Sequence, residues 1–287
     1  MQIGVDIGGT NIEAALVERG KVTKKAKRNT EADKGRKVVL KNIVDVIAEV
    51  FTTSVEAIGV GIAGPFDQKK FVMLQSPHIP CLVNFPIKDF LEETFKVKVA
   101  VGNDARMFTL GVYEFEYKDV KDLVGLTLGT GVGGTAIIDG KMEENPRDTS
   151  GEIGHIVIKK NGRRCGCGAR GCIEAYVSGS AIERRYKALS GKSLDAEAIA
   201  DNAVKGDKTA KWVIEEAGIQ LVKGLTKIVE KYRPMVIVIG GSVANTEDIL
   251  EIAKKEFRKL MPDAKVKVEK SRLKDASLLG AAKFAEG

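Results

Sequence analysis

Short apolar runs that end in glycine, separated by longer stretches with helical spacing, organise this chain. Residues 2–7 (Gln-Ile-Gly-Val-Asp-Ile) predict a buried strand, Gly8 and Gly9 a turn, and Asn11 to Glu18 its antiparallel return. Arg19-Gly20 then leads to a third strand from Lys21 to Arg28. Val39, Ile43, Val46, Ile47 and Val50 recur at helical spacing, so a helix is expected over 36–51. It returns the chain for a strand from Ala57 to Ile62 that ends in Gly64-Pro65-Phe66-Asp67. After a loop with Pro77, Pro80 and Pro86, a short helix from Ile87 to Phe95 precedes a strand from Val97 to Val101. That strand closes on Gly102-Asn103-Asp104, and a helix follows.

The pattern then restarts. Leu123 to Leu128 reads as a strand, Gly129 to Gly134 as a glycine turn, and Thr135 to Ile138 as its return, closing with Asp139-Gly140-Lys141. Two copies of strand, glycine turn, strand and tight turn, about 120 residues apart, suggest a duplicated fold with a cleft between its halves. Helices are expected at 179–189, 195–205, 208–232 and 246–260, strands at 235–239 and 264–268, and a closing helix at 277–285. The class is α/β. A small domain over 1–110, a larger one over 111–276, and a C-terminal helix returning to the first are the expected boundaries.

Composition narrows the function classes. The 287 residues suffice for two domains or one large one, and 44% hydrophobic with 30% charged residues is ordinary for a globular protein. The net charge of +7 is spread along the chain, which argues for a solvated surface over a nucleic-acid patch and suits a small anionic substrate such as a nucleotide. No apolar run approaches the roughly 20 residues of a membrane span, and the first strand begins at once, without a signal-peptide core or room for a helix-turn-helix. A cytoplasmic protein without membrane or nucleic-acid partners is expected.

Two turns, Gly8-Gly9-Thr10-Asn11 and Gly129 to Gly134, each follow a buried strand, where glycine lets backbone amides converge on an anion. Neither fits the Walker loop, and the second misses Gly-x-Gly-x-x-Gly by one residue. Asp6 stands beside the first turn, where a carboxylate next to phosphate calls for magnesium. Asn103-Asp104 lies at a strand end before a helix, suited equally to ligand contact and to helix capping.

Three of the four cysteines fall in one stretch: His155, Cys165, Cys167 and Cys172 form H-x9-C-x-C-x4-C. Three sulfurs and one imidazole make a closed tetrahedral zinc shell, structural because no position is left for water. A disulfide with a spare thiol is the weaker alternative. Glu152 and Glu174 flank this stretch, so a metal that folds it also fixes two carboxylates.

Together with Gly61-Ile62-Ala63-Gly64-Pro65-Phe66-Asp67, Gly151-Glu152-Ile153-Gly154-His155, Cys165-Gly166-Cys167-Gly168-x-x-Gly171-Cys172-x-Glu174 and Ile239-Gly240-Gly241-Ser242, these motifs resemble the ROK family of repressors, open reading frames and kinases. The resemblance implies an actin-like, ribonuclease H-like duplicated fold in which MgATP phosphorylates the 6-hydroxyl of a hexose, most simply glucose, in a protein that forms homodimers or homotetramers. It makes Asp104 the general base, with Gly64, Pro65, Asn103, Asp104, Glu152, His155 and Glu174 around the sugar. Asp6 becomes the magnesium-side carboxylate, while Gly8, Gly9, Thr10, Asn11, Gly129, Thr130, Gly131, Gly133, Gly240, Gly241 and Ser242 line the nucleotide. The chain departs from the family where His78-Ile79-Pro80-Cys81 replaces the common Asn-Leu-x-Gly, which leaves fructose, mannose and N-acetylhexosamines as alternative substrates, and a non-catalytic sugar-sensing member of the family as the other alternative.

Overall fold

The computed structural model describes residues 1–67, 70–76, 78–143 and 153–287. In chain order the elements are β1 (Gln2–Ile7), β2 (Asn11–Glu18), β3 (Lys21–Asn29), α1 (Arg36–Val50), β4 (Ala57–Ile62), β5 (Phe66–Asp67), β6 (Val72–Met73), α2 (Ile87–Phe95), β7 (Lys98–Asn103) and α3 (Asp104–Glu116). There follow β8 (Leu123–Leu128), β9 (Val132–Ile138), β10 (Lys141–Met142), α4 (Glu174–Val177), α5 (Gly179–Ser190), α6 (Ala196–Val204), α7 (Lys208–Tyr232), β11 (Val236–Gly240), α8 (Glu247–Leu260), β12 (Lys267–Lys270) and α9 (Ala276–Phe284). They form two compact units, one mainly from Met1–Asp119 and Arg272–Gly287, the other mainly from Val120–Lys141 and 153–271.

The first unit is built on a sheet of order β3-β2-β1-β4-β7. β1 runs antiparallel to β2 and parallel to β4, and β4 parallel to β7. Side chains alternate along a strand, so Ile3, Val5 and Ile7 of β1 and Ile58, Val60 and Ile62 of β4 share one face, and all six are buried in one cluster with Val39, Ile43, Val46, Ile47 and Val50 of α1. The opposite face of these two strands is glycine-rich. A Cβ on Gly4 would lie 1.8 Å from the Leu278 carbonyl oxygen, and one on Gly59 1.7 Å from that of Ala281, so α9 lies directly on the sheet backbone. α9 meets α3 in the same way: Gly111 approaches the Ala276 carbonyl and Gly280 the Met107 carbonyl, with room for a Cβ at neither.

The second unit repeats the plan with the order β10-β9-β8-β11-β12. β8 is antiparallel to β9 and parallel to β11, which is parallel to β12, so β8, β9, β11 and β12 answer to β1, β2, β4 and β7. This is the duplicated ribonuclease H-like, actin-like fold. Its core joins β8 and β11 to α7, through Val213, Ile214, Ala217, Leu221 and Leu225, and to α8, through Ile249, Leu250, Ala253 and Phe257.

Three sequence boundaries are corrected. The return strand expected from Thr135 starts at Val132, because Gly133 and Gly134 pair with Thr127 and Leu126; the second turn is therefore the three residues Gly129-Thr130-Gly131, and Gly133 belongs to a strand. The strand expected over 264–268 is Lys267–Lys270, since Ala264 still bonds back to the Met261 carbonyl in the turn that leaves α8. β7 runs on to Asn103, and its start shifts to Lys98 because Lys96 ends α2 in the left-handed region.

Gly59→Ala is expected to lower the stability of the chain by about 1–3 kcal/mol, as overpacking of a tight core does. Urea unfolding would measure it, and an unchanged midpoint would contradict the backbone contact with α9.

Candidate functional site

Strand register brings the first unit's acids together. Asp6 of β1 lies opposite Gly61 of β4, and Gly61 opposite Gly102 of β7, so the row from Asp6 towards α3 carries no side chain. A Cβ on Gly61 would stand 3.4 Å from the Cα of Asp104, the first residue of α3. Burial, then the charges of Asp104 and Glu13, push the Asp6 carboxyl up to about 7, with Lys25 opposing. Glu13 faces Asp6 from β2 and takes Lys25 at 2.8 Å and Lys27 at 3.1 Å; against the effect of burial, these two hydrogen bonds hold it below the usual range. Lys25 also reaches Asp275 at 2.7 Å, just before α9. An acid raised by burial and by like charge at a strand end is a place where a cation is favoured.

Asn103 resolves an ambiguity left by the sequence. Its side-chain oxygen accepts from the backbone N–H groups of Ala105 (3.0 Å) and Arg106 (3.2 Å), capping α3, while its amide nitrogen donates to the Gly64 carbonyl at 3.1 Å. It thus ties the turn that leaves β4 to the residue beside Asp104. Gly64, at φ 124°, leaves no room for a side chain against the Gln75 carbonyl, and the Pro65 carbonyl accepts from Leu74 N–H at 2.9 Å.

The first glycine turn is closed by Gly8 N–H to the Asn11 carbonyl (2.9 Å) and braced by buried Thr30, whose hydroxyl donates to the Gly8 carbonyl (2.6 Å) and whose N–H donates to that of Thr10 (2.8 Å). Sequence reasoning missed Thr30, since nothing local connects it to a turn twenty residues earlier. His78 also lies against this turn: a Cβ on Gly9 would come within 2.6 Å of the His78 Cβ.

In the second unit Gly129 N–H bonds the Gly131 carbonyl at 3.0 Å. The Gly129 carbonyl accepts from Gly179 N–H (2.8 Å), the Thr130 carbonyl from Ser180 N–H (3.3 Å), and Val132 N–H donates to Glu174 Oε2 (3.1 Å). Gly240 ends β11, and Gly241, at φ 96°, would drive a Cβ to 2.3 Å from the Leu128 carbonyl, so glycine is required there. Ser242 leads into a short 3-10 turn over Val243–Asn245. The expectations for Gly151 and Glu152 fall outside the described residues.

His155, Cys165, Cys167 and Cys172 converge, with their donor atoms all within 4.8 Å of one another. Cys165 Sγ lies 3.6 Å from His155 Nδ1, and Cys167 Sγ 3.9 Å from Cys172 Sγ. A tetrahedral shell with metal–sulfur bonds of about 2.3 Å and a metal–nitrogen bond of about 2.0 Å has edges of about 3.5 and 3.8 Å, so the four residues fit a zinc-sized ion. Burial pushes both the Cys165 and Cys172 thiols up, the state expected before a cation displaces their protons. The hairpin that carries them turns by Cys165 N–H to the Ala169 carbonyl (2.8 Å) and Gly168 N–H to that of Cys165 (3.1 Å). Gly171, at φ 84°, passes against the Lys159 carbonyl, and Glu174 Oε1 lies 3.3 Å from Cys165 Sγ.

Two ribonuclease H-like units of the same strand order, each with a glycine turn after its first strand and the first with a carboxylate pair, make an actin-like ATPase-type fold. The ROK family model matches residues 2–287, and the chain belongs to the ROK family. It is 34% identical to the glucokinase of Thermotoga maritima over 98% of this chain and 95% of the relative, and 28% identical to the N-acetylmannosamine kinase of Escherichia coli over 99% and 98%. A crystal structure of a ROK family glucokinase from Streptomyces griseus in complex with glucose and AMPPNP is similar with a TM-score of 0.87 and 30% identity over 99% of each chain. Among the described residues no helix is long and apolar enough to cross a membrane.

Because the Asp6 carboxyl binds its proton more tightly folded than unfolded, the unfolded chain loses that proton first as pH rises above the ordinary value of 3.8, and the residue's cost to stability grows until pH passes about 7. Asp6→Asn is therefore expected to raise Tm more at about pH 8 than at about pH 5, by the linkage of a raised carboxyl. Thermal unfolding at the two pH values checks it, and an equal change at both would contradict the raised carboxyl.

Proposed function

We propose that this ROK family sugar kinase transfers the γ-phosphoryl group of ATP to the 6-hydroxyl of a hexose, with glucose as the leading substrate. The observation that carries the reading is the Asp6–Asp104 pair, set at the ends of parallel strands of one sheet in a chain matched along its length by glucokinases. A sugar hydroxyl is too weak an acid to ionise near neutral pH, so Asp104 orients it and accepts its proton as the bond to phosphorus forms. Asn103 fixes the first turn of α3 and so the carboxylate that begins it. Gly64 and Pro65 back the sugar, while Glu152, His155 and Glu174 pair with its remaining hydroxyls. His155 turns Nδ1 to the cysteines, which leaves Nε2 for the sugar.

Asp6 would hold the magnesium that accompanies ATP, whose role is to neutralise charge on the transferring group. The turns at Gly8–Asn11 and Gly129–Gly131 present backbone to the phosphates, and Gly240, Gly241 and Ser242 wall the nucleoside. Zinc held by His155, Cys165, Cys167 and Cys172 would keep the sugar-facing loop rigid. Assembly as a homodimer or homotetramer in the cytoplasm belongs to the same proposal. The second reading, an N-acetylhexosamine kinase, is favoured by the full-length match to the N-acetylmannosamine kinase and by His78 against the first turn.

Sugar-dependent ADP release across glucose, fructose, mannose and the N-acetylhexosamines tests the substrate, and no turnover on any of them would sink both readings. Asp104→Ala is expected to cut turnover at least about 10²-fold, the contribution of a positioned general base, with sugar binding retained in calorimetry. Near wild-type turnover would refute the base. Elemental analysis of freshly purified protein is expected to give one zinc per chain; none would overturn the zinc assignment.

A further inference from the structure

We infer that Glu174 positions the nucleotide-facing turn of the second unit, so that the cysteine hairpin governs nucleotide affinity as well as the sugar site. The inference rests on the reading of Gly129–Gly131 as a phosphate turn, and goes beyond the hydroxyl-binding role given to Glu174 above.

Three hydrogen bonds hold this turn to the segment that leaves the cysteine hairpin. Two of them, from Gly179 and Ser180 to the carbonyls of Gly129 and Thr130, use backbone donors that most sequences would supply. The third depends on one side chain: Val132 N–H, at the start of β9, donates to Glu174 Oε2 at 3.1 Å. A carboxylate acceptor makes this the strongest of the three in kind.

The same oxygen explains the glycine at position 131. A Cβ there would lie 2.8 Å from Glu174 Oε2, so a side chain at 131 would push the carboxylate off the Val132 amide. Glu174 in turn stands two residues after Cys172, and its other oxygen lies 3.3 Å from Cys165 Sγ. One carboxylate thus links the cysteine hairpin, through Oε1, to the phosphate turn, through Oε2.

The experiment compares Glu174→Ala with Glu174→Gln in the full-length, metal-loaded protein and without sugar, so that any sugar contact of Glu174 stays out of the measurement. Calorimetry reads the affinity for the ATP analogue AMPPNP, and hydrogen exchange reads the Val132 amide. Glu174→Ala should weaken AMPPNP about tenfold, the loss of a hydrogen bond to a charged group, and speed Val132 exchange. Glu174→Gln keeps an acceptor oxygen and should restore most of both. Gly131→Ala should weaken AMPPNP in the wild-type background and lose most of that effect beside Glu174→Ala, because the clash is gone.

Unchanged affinity and unchanged Val132 exchange in Glu174→Ala would overturn the positioning role. Wild-type protein that binds no AMPPNP would instead overturn the phosphate-turn reading, with Val132 exchange still deciding whether Glu174 holds the turn. Cys167→Ser should weaken AMPPNP in the same direction, and native affinity in that variant would overturn the link to the cysteine hairpin.

Discussion

The first unit depends on the direct contact of α9 with the backbone of β1 and β4. Four glycines without room for a Cβ, Gly4, Gly59, Gly111 and Gly280, let carbonyls of one element meet the main chain of the next. Each glycine costs about 0.5–1 kcal/mol in backbone entropy, which the close dispersion contacts must offset. The gain is positional. With α9 laid on the sheet and α3 laid on α9, the N-terminus of α3 can stand only at the end of β7, and Asp104 is delivered to the same row as Asp6. A bulkier interface would let α3 slide by the width of a side chain, enough to separate the two carboxylates.

The periodicities carry the fold well, because its elements are short and strongly patterned. Isoleucine and valine alternating with glycine in β1 and β4 announce both the buried face and the closely packed one. What escaped them is the meaning of a glycine run. Gly129 to Gly134 reads as a single turn, yet Gly133 and Gly134 are strand residues paired with β8, where a Cβ on Gly134 would meet the Gly125 carbonyl, and only the ladder reveals it. With the turn shortened to three residues the two halves of the duplication agree more closely than their sequences suggest.

Site residues were legible where chemistry demands rare types in fixed spacing, as for the histidine and three cysteines, which the fold does gather. They were not legible where a residue acts at long range. Thr30 braces a turn twenty residues before it, and Glu174 reaches an amide 42 residues away, so neither contact has a local signal. Asn103 lay between these cases: the sequence offered a cap or a ligand contact, and the structure shows a cap that also grips Gly64. Glu152 lies outside the described residues.

Both units hold acids in the form that precedes a cation. In the first, burial and a nearby carboxylate keep a proton on Asp6 up to about pH 7; in the second, burial holds the thiols of Cys165 and Cys172 protonated. Desolvation is the largest cause in each, so each group trades stability alone for affinity when a cation arrives. The two places differ in their donor groups. His155 and the three cysteines make a closed four-donor set, the kind that holds a structural ion. Asp6 instead stands near Asp104 and Glu13, a place of like charge that favours a cation. Glu174, through its contacts with Cys165 and Val132, ties the donor set of the second unit to its glycine turn, whereas Asp6 acts on its surroundings through charge.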